Sequence, residues 1–319
     1  MIIDDNKPPI GGVDYPRTLE EFDIWFSTEE ACLEFIRNLR WPGGFQCPAC
    51  GGEQGWATKR GNIRCAQCQR QTSAIAGTLF DGTRKPLRSW LEAMWHVMAS
   101  DRRYGFSAMA LQDRLKLGSY QTAWAWLQKL RRAMVLPEMG RLHGQVAIGV
   151  TYVEEREKGH RARKRDTKIL VVVAVEKATR GPGRVRFSCI PVATEESLLQ
   201  FVRAVIEPGS RIHSDGSPEF KALAGAGYLH EPNISDNNAR ITWIDRVVSA
   251  LEVRLQHSHS GALTQEQLGY YFAEFAFRSE WRAARSPGLL FLRLTQSALY
   301  TAPTPYRGLV RTGRERQDL

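Results

Sequence analysis

The sequence lacks long apolar stretches, and this absence bears on where the protein resides. No apolar run reaches the roughly 18 residues that a membrane-spanning helix needs. The first ten residues contain no basic segment followed by an apolar stretch, so they do not resemble a secretory signal. We therefore expect a cytoplasmic protein with no membrane partner.

Cysteines are few, and internal repeats and low-complexity tracts are absent. Of the six cysteines, Cys32 and Cys189 stand alone, while the other four form two close pairs. This pattern is typical of metal ligation in a reducing compartment and argues against a disulfide framework.

Acidic residues are in the minority. The chain has 44 lysines and arginines against 34 acids, a net charge of +10 and a pI near 9.5. This balance favours a polyanionic partner, and on charge alone nucleic acid and an anionic membrane satisfy it equally. The length of 319 residues and the hydrophobic content of 43% predict two or three folded units.

The residue pattern changes several times along the chain. Ser27 and Glu30 have capping-box spacing before an apolar helical pattern that ends at Trp41-Pro42. We expect five segments, which are a helical lead-in (1–44), a cysteine-paired ribbon (45–80), a helical region (81–140), an α/β domain (141–299) and a C-terminal tail (300–319).

The α/β domain is predicted from β-branched runs. Residues 145–153, 168–176 and 184–193 read as consecutive strands of one sheet, and 210–215 reads as a fourth strand. The predicted helices cover residues 196–206, 218–227, 241–257 and 264–279.

The cysteine pairs predict a zinc ribbon. Cys47 and Cys50 form one C-x-x-C turn, Cys65 and Cys68 form another, and fourteen residues lie between them. Four thiolates complete a tetrahedral zinc site and leave no open position, so we expect a structural zinc. The second pair has basic neighbours, for which phosphate contact and a solvated face are equally open; they are Lys59, Arg60, Arg64 and Arg70.

Residues 107–132 read as a helix-turn-helix. A helix over 107–115 stops near Gly118, and a second begins at Ser119, which suits major-groove readout. An ordinary helical hairpin in a small bundle explains the same apolar spacing. We expect the tryptophans here to lie in the core. The candidate DNA contacts are Tyr120, Gln121 and Thr122 in the first turn, and Arg131 and Arg132 near the far end.

Nearly the whole chain resembles one family, the ISXO-type insertion-sequence transposases. The resemblance is carried by PRTLEEF, TEEACLEFIRNLRWPGGFQCPACGG, RCAQCQRQTSAIAGTLFDGTRKPLRSWLEAMW, HSDGSPEFKAL, YYFAEFAFR and GLLFLRL. It implies a zinc ribbon, a helix-turn-helix-like module and a ribonuclease-H-like mixed sheet with flanking helices. It also implies metal-dependent DNA strand cleavage and transfer by a dimer or higher assembly, with two magnesium ions on three protein ligands.

The implied ligand set is incomplete in this chain. Matching the family pattern places Gly149 at the first acidic position, Asp215 at the second and Asp245 at the third. Glu154 is a poor substitute, because five residues of strand advance by about 16 Å and end on the opposite face. Alternatives stay open for both aspartates: Asp215 as a helix cap or turn residue, and Asp245 as a surface carboxylate.

The connection between the first two predicted strands is strongly basic. Residues 155–168 contain seven lysines and arginines against three acids. Such a hairpin can neutralise several phosphates, although a solvated charge run is the simpler explanation. The residues we expect to contact DNA are Arg161, Arg163, Lys164 and Arg165.

Together these features predict a catalytically inactivated transposase that binds double-stranded DNA and is nucleoid-associated. The first alternative is an active transposase that uses Mg²⁺ and a ligand from elsewhere. The second is an RNA-binding factor that uses the same basic surface. A host protein partner is left open.

Overall fold

The computed structural model forms two compact units, each described by itself. The first contains the residues described up to Ser100, the segment Met109–Met134 and residues 286–309. The second contains most of the remainder. The structure describes residues 8–58, 61–101, 103–135, 140–154, 168–179, 181–232, 241–258, 265–281 and 286–311.

The first unit is a helical bundle that carries a small sheet. The sheet has the order β1-β2-β3, and all its pairings are antiparallel. Its elements are α1 (Leu19–Trp25), α2 (Glu29–Arg40), β1 (Gly55–Ala57), β2 (Ile63–Cys65), β3 (Gln71–Thr72), α3 (Leu87–Ala99), α4 (Ala108–Arg114), α5 (Tyr120–Ala133), α10 (Pro287–Tyr300) and most of α11 (Tyr306–Arg311).

The lead-in consists of two helices, and the expected capping box is wrong by one residue. Thr18 caps α1, because its side chain accepts a hydrogen bond from the Glu21 amide, and Thr28 caps α2 by accepting from the Ala31 amide. Ser27 lies between the two helices and is not the N-cap of α2.

The core of the first unit is aromatic, and α10 contributes to it. The rings of Phe22, Phe26 and Trp95 each lie within 6 Å of the Phe291 ring of α10. The expected domain boundary at residue 299 therefore differs from the structure, which places α10 with the N-terminal helices. The physical reason is that α10 is apolar on several faces and suits the centre of a bundle.

Glycine is required where α10 meets the start of the chain. A Cβ added at Gly288 would lie 1.9 Å from the Pro16 carbonyl oxygen, which is backbone and cannot swing aside. The absence of a side chain thus permits α10 to pack directly against residues 15–16.

The second unit is built around a five-stranded mixed sheet. Its order is β6-β5-β4-β7-β8; β4 pairs antiparallel with β5 and parallel with β7. Its strands are β4 (Gln145–Glu154), β5 (Lys168–Ala178), β6 (Gly181–Cys189), β7 (Arg211–Ser214) and β8 (Leu229–Pro232), and its helices are α6 (Glu195–Val205), α7 (Ala222–Gly225), α8 (Ile241–Ser258) and α9 (Gln265–Glu280).

Helices cover both faces of this sheet. Side chains of α6 and α7 join Val146, Ile148 and Ile212 in the core on one face. Side chains of α8 and α9 join Val171 and Val173 on the other. The mixed sheet with flanking helices confirms the ribonuclease-H-like fold class implied by the resemblance.

The predicted strands agree well with the sheet, apart from its edge. Strand β8 was not predicted, and residues 218–227 form a 3₁₀ turn (Pro218–Phe220) followed by the short α7 instead of one helix. None of the helices in the described ranges is long and apolar enough to cross a membrane.

Candidate functional site

The four paired cysteines converge in the ribbon. Their sulfur atoms all lie within 4.8 Å of one another, with Cys47 Sγ 3.6 Å from Cys68 Sγ and Cys50 Sγ 3.6 Å from Cys65 Sγ. A tetrahedron with zinc–sulfur bonds of about 2.3 Å has sulfur atoms about 3.8 Å apart. The cluster therefore fits a zinc ion without rearrangement.

The backbone shapes each cysteine pair into a matching turn. The residue after the second cysteine has a positive φ in both turns, +73° at Gly51 and +61° at Gln69. The amides of Ala49 and Cys50 donate to the sulfur of Cys47 and lower its pKa to about 6, which favours the thiolate that a metal requires. Arg64 and Arg70 lie exposed beside this cluster.

The two helices of the predicted helix-turn-helix are present in the structure as α4 and α5. Ser119 caps α5 by accepting from the Thr122 amide, and its hydroxyl lies 2.9 Å from that of Thr122. Gln121 is exposed, whereas Tyr120 and Thr122 are half-buried. The first turn of α5 therefore presents Gln121 most openly.

The far end of α5 differs from the prediction. Arg131 is only 2% exposed, because it lies one turn after Leu127 on the buried face of the helix. We therefore remove Arg131 from the candidate DNA contacts; Arg132 is half-buried and stays among them. The expectation of core tryptophans is confirmed for Trp126, whose ring stacks on that of the buried Trp90 with centroids 3.8 Å apart, whereas Trp124 is only half-buried.

The expected acidic site lies where β4 and β7 run side by side. Ala147 pairs with His213 in the parallel register, so Gly149 and Asp215 occupy corresponding positions two residues further along. Gly149 also pairs with Val173, which belongs to the face covered by α8. The first and second family positions therefore adjoin, and position 149 faces the helix that carries Asp245.

Ile244 of α8 occupies the space beside Gly149. A Cβ added at Gly149 would lie 2.9 Å from Ile244 Cδ1 and 3.5 Å from Ile244 Cγ2. Gly149 is itself buried. A hydrocarbon side chain thus packs where the first carboxylate of a metal site would begin.

The two remaining aspartates have ordinary surface environments. Asp215 is exposed, and its Oδ1 accepts a hydrogen bond of 2.9 Å from the Ser217 amide, which is the turn interaction considered from the sequence. Asp245 is exposed one residue after Ile244. Strand β4 runs without interruption to Glu154, so the chain does not fold back there toward Gly149.

Within the described ranges, the cysteine cluster is the one group of three or more His, Cys, Asp or Glu side chains close enough to share a metal. The basic hairpin residues Arg161, Arg163, Lys164 and Arg165 lie outside the described residues, as do Lys59 and Arg60. Strands β4 and β5 pair antiparallel, and the pairing ends at Glu154 and Lys168. Residues 155–167 therefore connect two adjacent antiparallel strands.

The comparisons with known proteins agree with these two parts. Residues 27–71 match the transposase zinc-ribbon domain, and residues 141–280 match the ISXO2-like transposase domain. The chain is a transposase-family protein. In this transposase-family protein, the ribbon match ends just after the last cysteine, and the second match spans Gly149, Asp215 and Asp245.

Several proteins are similar to this transposase-family chain. An uncharacterized protein in the transposable element ISH50 of Halobacterium salinarum is 25% identical over 216 residues, which cover 62% of this chain and 71% of that protein. The catalytic core domain of BIV integrase has a TM-score of 0.30 at 19% identity, and covers 40% of this chain and 79% of its own. The Mos1 strand transfer complex has a TM-score of 0.27 at 10% identity, and the match covers 72% of this chain and 78% of that chain.

The contact between Ile244 and Gly149 in this transposase-family protein was not predicted from the sequence. The sequence predicts a helix over residues 241–257, which includes Ile244, but a predicted helix does not tell which strand residue each of its side chains meets. The glycine at position 149 was the available signal, because a missing side chain on a buried strand marks a close approach.

Proposed function

We propose that this transposase-family protein binds double-stranded DNA without cutting or joining it. The observation that carries the proposal is the contact between Ile244 and Gly149. It replaces a carboxylate by packed hydrocarbon at the position from which family members are expected to hold a metal.

The chemistry of strand cleavage explains why this replacement matters. Two divalent cations about 4 Å apart clamp the attacking and leaving oxygens of a phosphodiester, and hard cations need several oxygen ligands to stay in place. Asp215 and Asp245 supply carboxylates, but they are exposed, and Asp215 already accepts a backbone hydrogen bond. Two such groups are a weak substitute for three convergent ones.

The DNA-binding half of the proposal rests on charge and on the first turn of α5. Gln121 projects from a helix N-terminus that Ser119 caps, a position from which an amide can read a base edge. Arg64 and Arg70 are exposed on the ribbon and suit phosphate contacts. The basic segment 155–168 adds further positive charge. Zinc has a structural role in this scheme.

The same proposal includes where the protein resides and how it assembles. The protein is cytoplasmic and nucleoid-associated, since its partner is DNA. It acts as a dimer or a higher assembly, as the family resemblance implies, and whether a host protein joins that assembly stays open.

Gel retardation with the DNA that flanks the protein's own gene tests the proposal. We expect retarded duplex whose strands stay intact in Mg²⁺, and a loss of affinity for Gln121→Ala of roughly 5- to 150-fold, the size of one amide–base contact. Gln265→Ala is the matched control, because Gln265 is an exposed glutamine at the start of α9. Equal affinities for the two variants would remove α5 from the DNA interface, and absence of retardation would refute the function.

A further inference from the structure

One indole side chain of the ribbon is half-exposed and does not belong to the cysteine cluster. Trp56 lies in the middle of β1 and is 50% exposed, unlike Trp90, Trp95 and Trp126, which are buried. Half of the indole surface is therefore exposed, and none of the described aromatic or cationic side chains stacks on its ring.

Strand register places polar and cationic side chains beside this indole. Trp56 pairs with Arg64 of β2, and Arg64 pairs with Gln71 of β3, so the three side chains form one row across the sheet. All three are exposed. Three strands about 4.8 Å apart make this row roughly 10 Å wide.

The row faces away from the ribbon interior. The opposite face of the sheet carries the buried side chains of Cys65 and Thr72, and a Cβ added at Gly55 on that face would lie 2.7 Å from the Ile63 side chain, although all three residues of β1 are exposed. Adjacent strand residues alternate between faces, and Trp56 therefore points outward.

We propose that the row Trp56–Arg64–Gln71 is a stacking surface for an unpaired base of single-stranded DNA. A tryptophan face stacks on any base, and a neighbouring guanidinium can pair with the adjoining phosphate. Charge supports an anionic occupant. Residues 45–72 contain four basic residues and one acidic residue, Glu53. The net charge of this segment stays positive when the 2− charge of a zinc tetrathiolate is added.

This inference rests on the proposed DNA-binding function and adds a substrate class to it. A base inside duplex DNA is stacked on both sides and cannot lie on the indole, so the row acts where a strand is frayed or displaced. The first turn of α5 contacts the duplex, and the row Trp56–Arg64–Gln71 binds an adjoining single strand.

Fluorescence anisotropy with labelled oligonucleotides tests the inference on the full-length, zinc-loaded protein. The probes are oligo-dT, a DNA duplex of the same length and oligo-rU. Trp56→Ala is expected to weaken oligo-dT binding about 5- to 150-fold, the cost of one stacked base, with duplex binding unchanged. Trp56→Phe keeps a stacking ring and should retain most of the affinity. Arg64→Ala should lower the salt slope for oligo-dT by about 0.7.

Tyr300→Ala is the matched control, because Tyr300 is 57% exposed and belongs to the same unit. One zinc per chain in every variant shows that the ribbon is folded. Unchanged oligo-dT binding by Trp56→Ala, an equal loss on duplex, or tighter binding of oligo-rU than of oligo-dT would overturn the inference. A change in sedimentation without a change in oligo-dT binding would assign Trp56 to a contact between copies and overturn it as well. Duplex binding by the unmodified protein separates these failures from failure of the proposed function.

Discussion

Removal of the zinc is expected to unfold the ribbon and leave the mixed sheet of the second unit folded. Of the ribbon residues described between 45 and 72, only Cys47, Cys65 and Thr72 are buried, and two of these are zinc ligands. The ribbon thus has almost no hydrophobic core to keep it folded. Structural zinc sites contribute about 10–16 kcal/mol of apparent binding free energy, which is folding free energy in such modules.

Counting reactive thiols measures this loss. Burial raises the pKa of the Cys32 thiol and of the Cys189 thiol to about 12, so both should stay unlabelled by a maleimide at neutral pH. A chelator should therefore make four thiols reactive and release one zinc per chain. Cys47→Ser should lose the zinc, and Cys189→Ser, the matched control, should keep it. A chelated protein whose four ribbon cysteines stay protected would contradict the account.

A carboxylate restored at position 149 is expected to destabilise the second unit. In Gly149→Asp the new side chain meets Ile244 and enters the apolar face that Val173, Val247 and Leu251 share. A buried charge without a partner costs about 3–5 kcal/mol. Gly149→Ala is the matched control and should cost about 1 kcal/mol, because the end of the Ile244 side chain can turn away from a single methyl group.

Combining Gly149→Asp with Ile244→Ala separates the clash from the charge. The double variant should be more stable than the sum of the single losses predicts, with a coupling of about 0.5–3 kcal/mol between the two positions. Urea unfolding followed by circular dichroism gives the four free energies of the cycle. Additive losses would show that Ile244 does not occupy the space that the carboxylate needs.

Patterns with a single physical cause were readable from the sequence. The β-branched runs gave strands β4, β5 and β7 to within two residues and β6 with a shift of three to four residues, since a sheet covered on both faces needs continuous apolar strands. The two C-x-x-C pairs predicted the cysteine cluster, because four thiolates at that spacing suit one ion. Ser119 marked the start of α5 because its hydroxyl satisfies a free amide at the helix N-terminus.

Features that depend on tertiary packing were not readable in this way. In the sequence Arg131 resembles a solvent-exposed cation, but in the structure it lies on the buried face of α5. The apolar helix α10 follows the second domain in the chain and yet packs with the first, because contacts distant in sequence decide its place. Ile244 is one of several apolar residues on α8, and only the strand opposite it gives it significance.

Binding of Mn²⁺ tests the loss of the acidic site most directly, since it does not depend on knowing the DNA target. The free ion would be followed by electron paramagnetic resonance during titration of the zinc-loaded protein, alone and with duplex DNA, and compared with Asp215→Ala and Asp245→Ala. We predict the same titration curve for all three proteins. A saturable Mn²⁺ site in the unmodified protein that disappears in both variants would contradict the account. It would indicate that the chain is an active transposase.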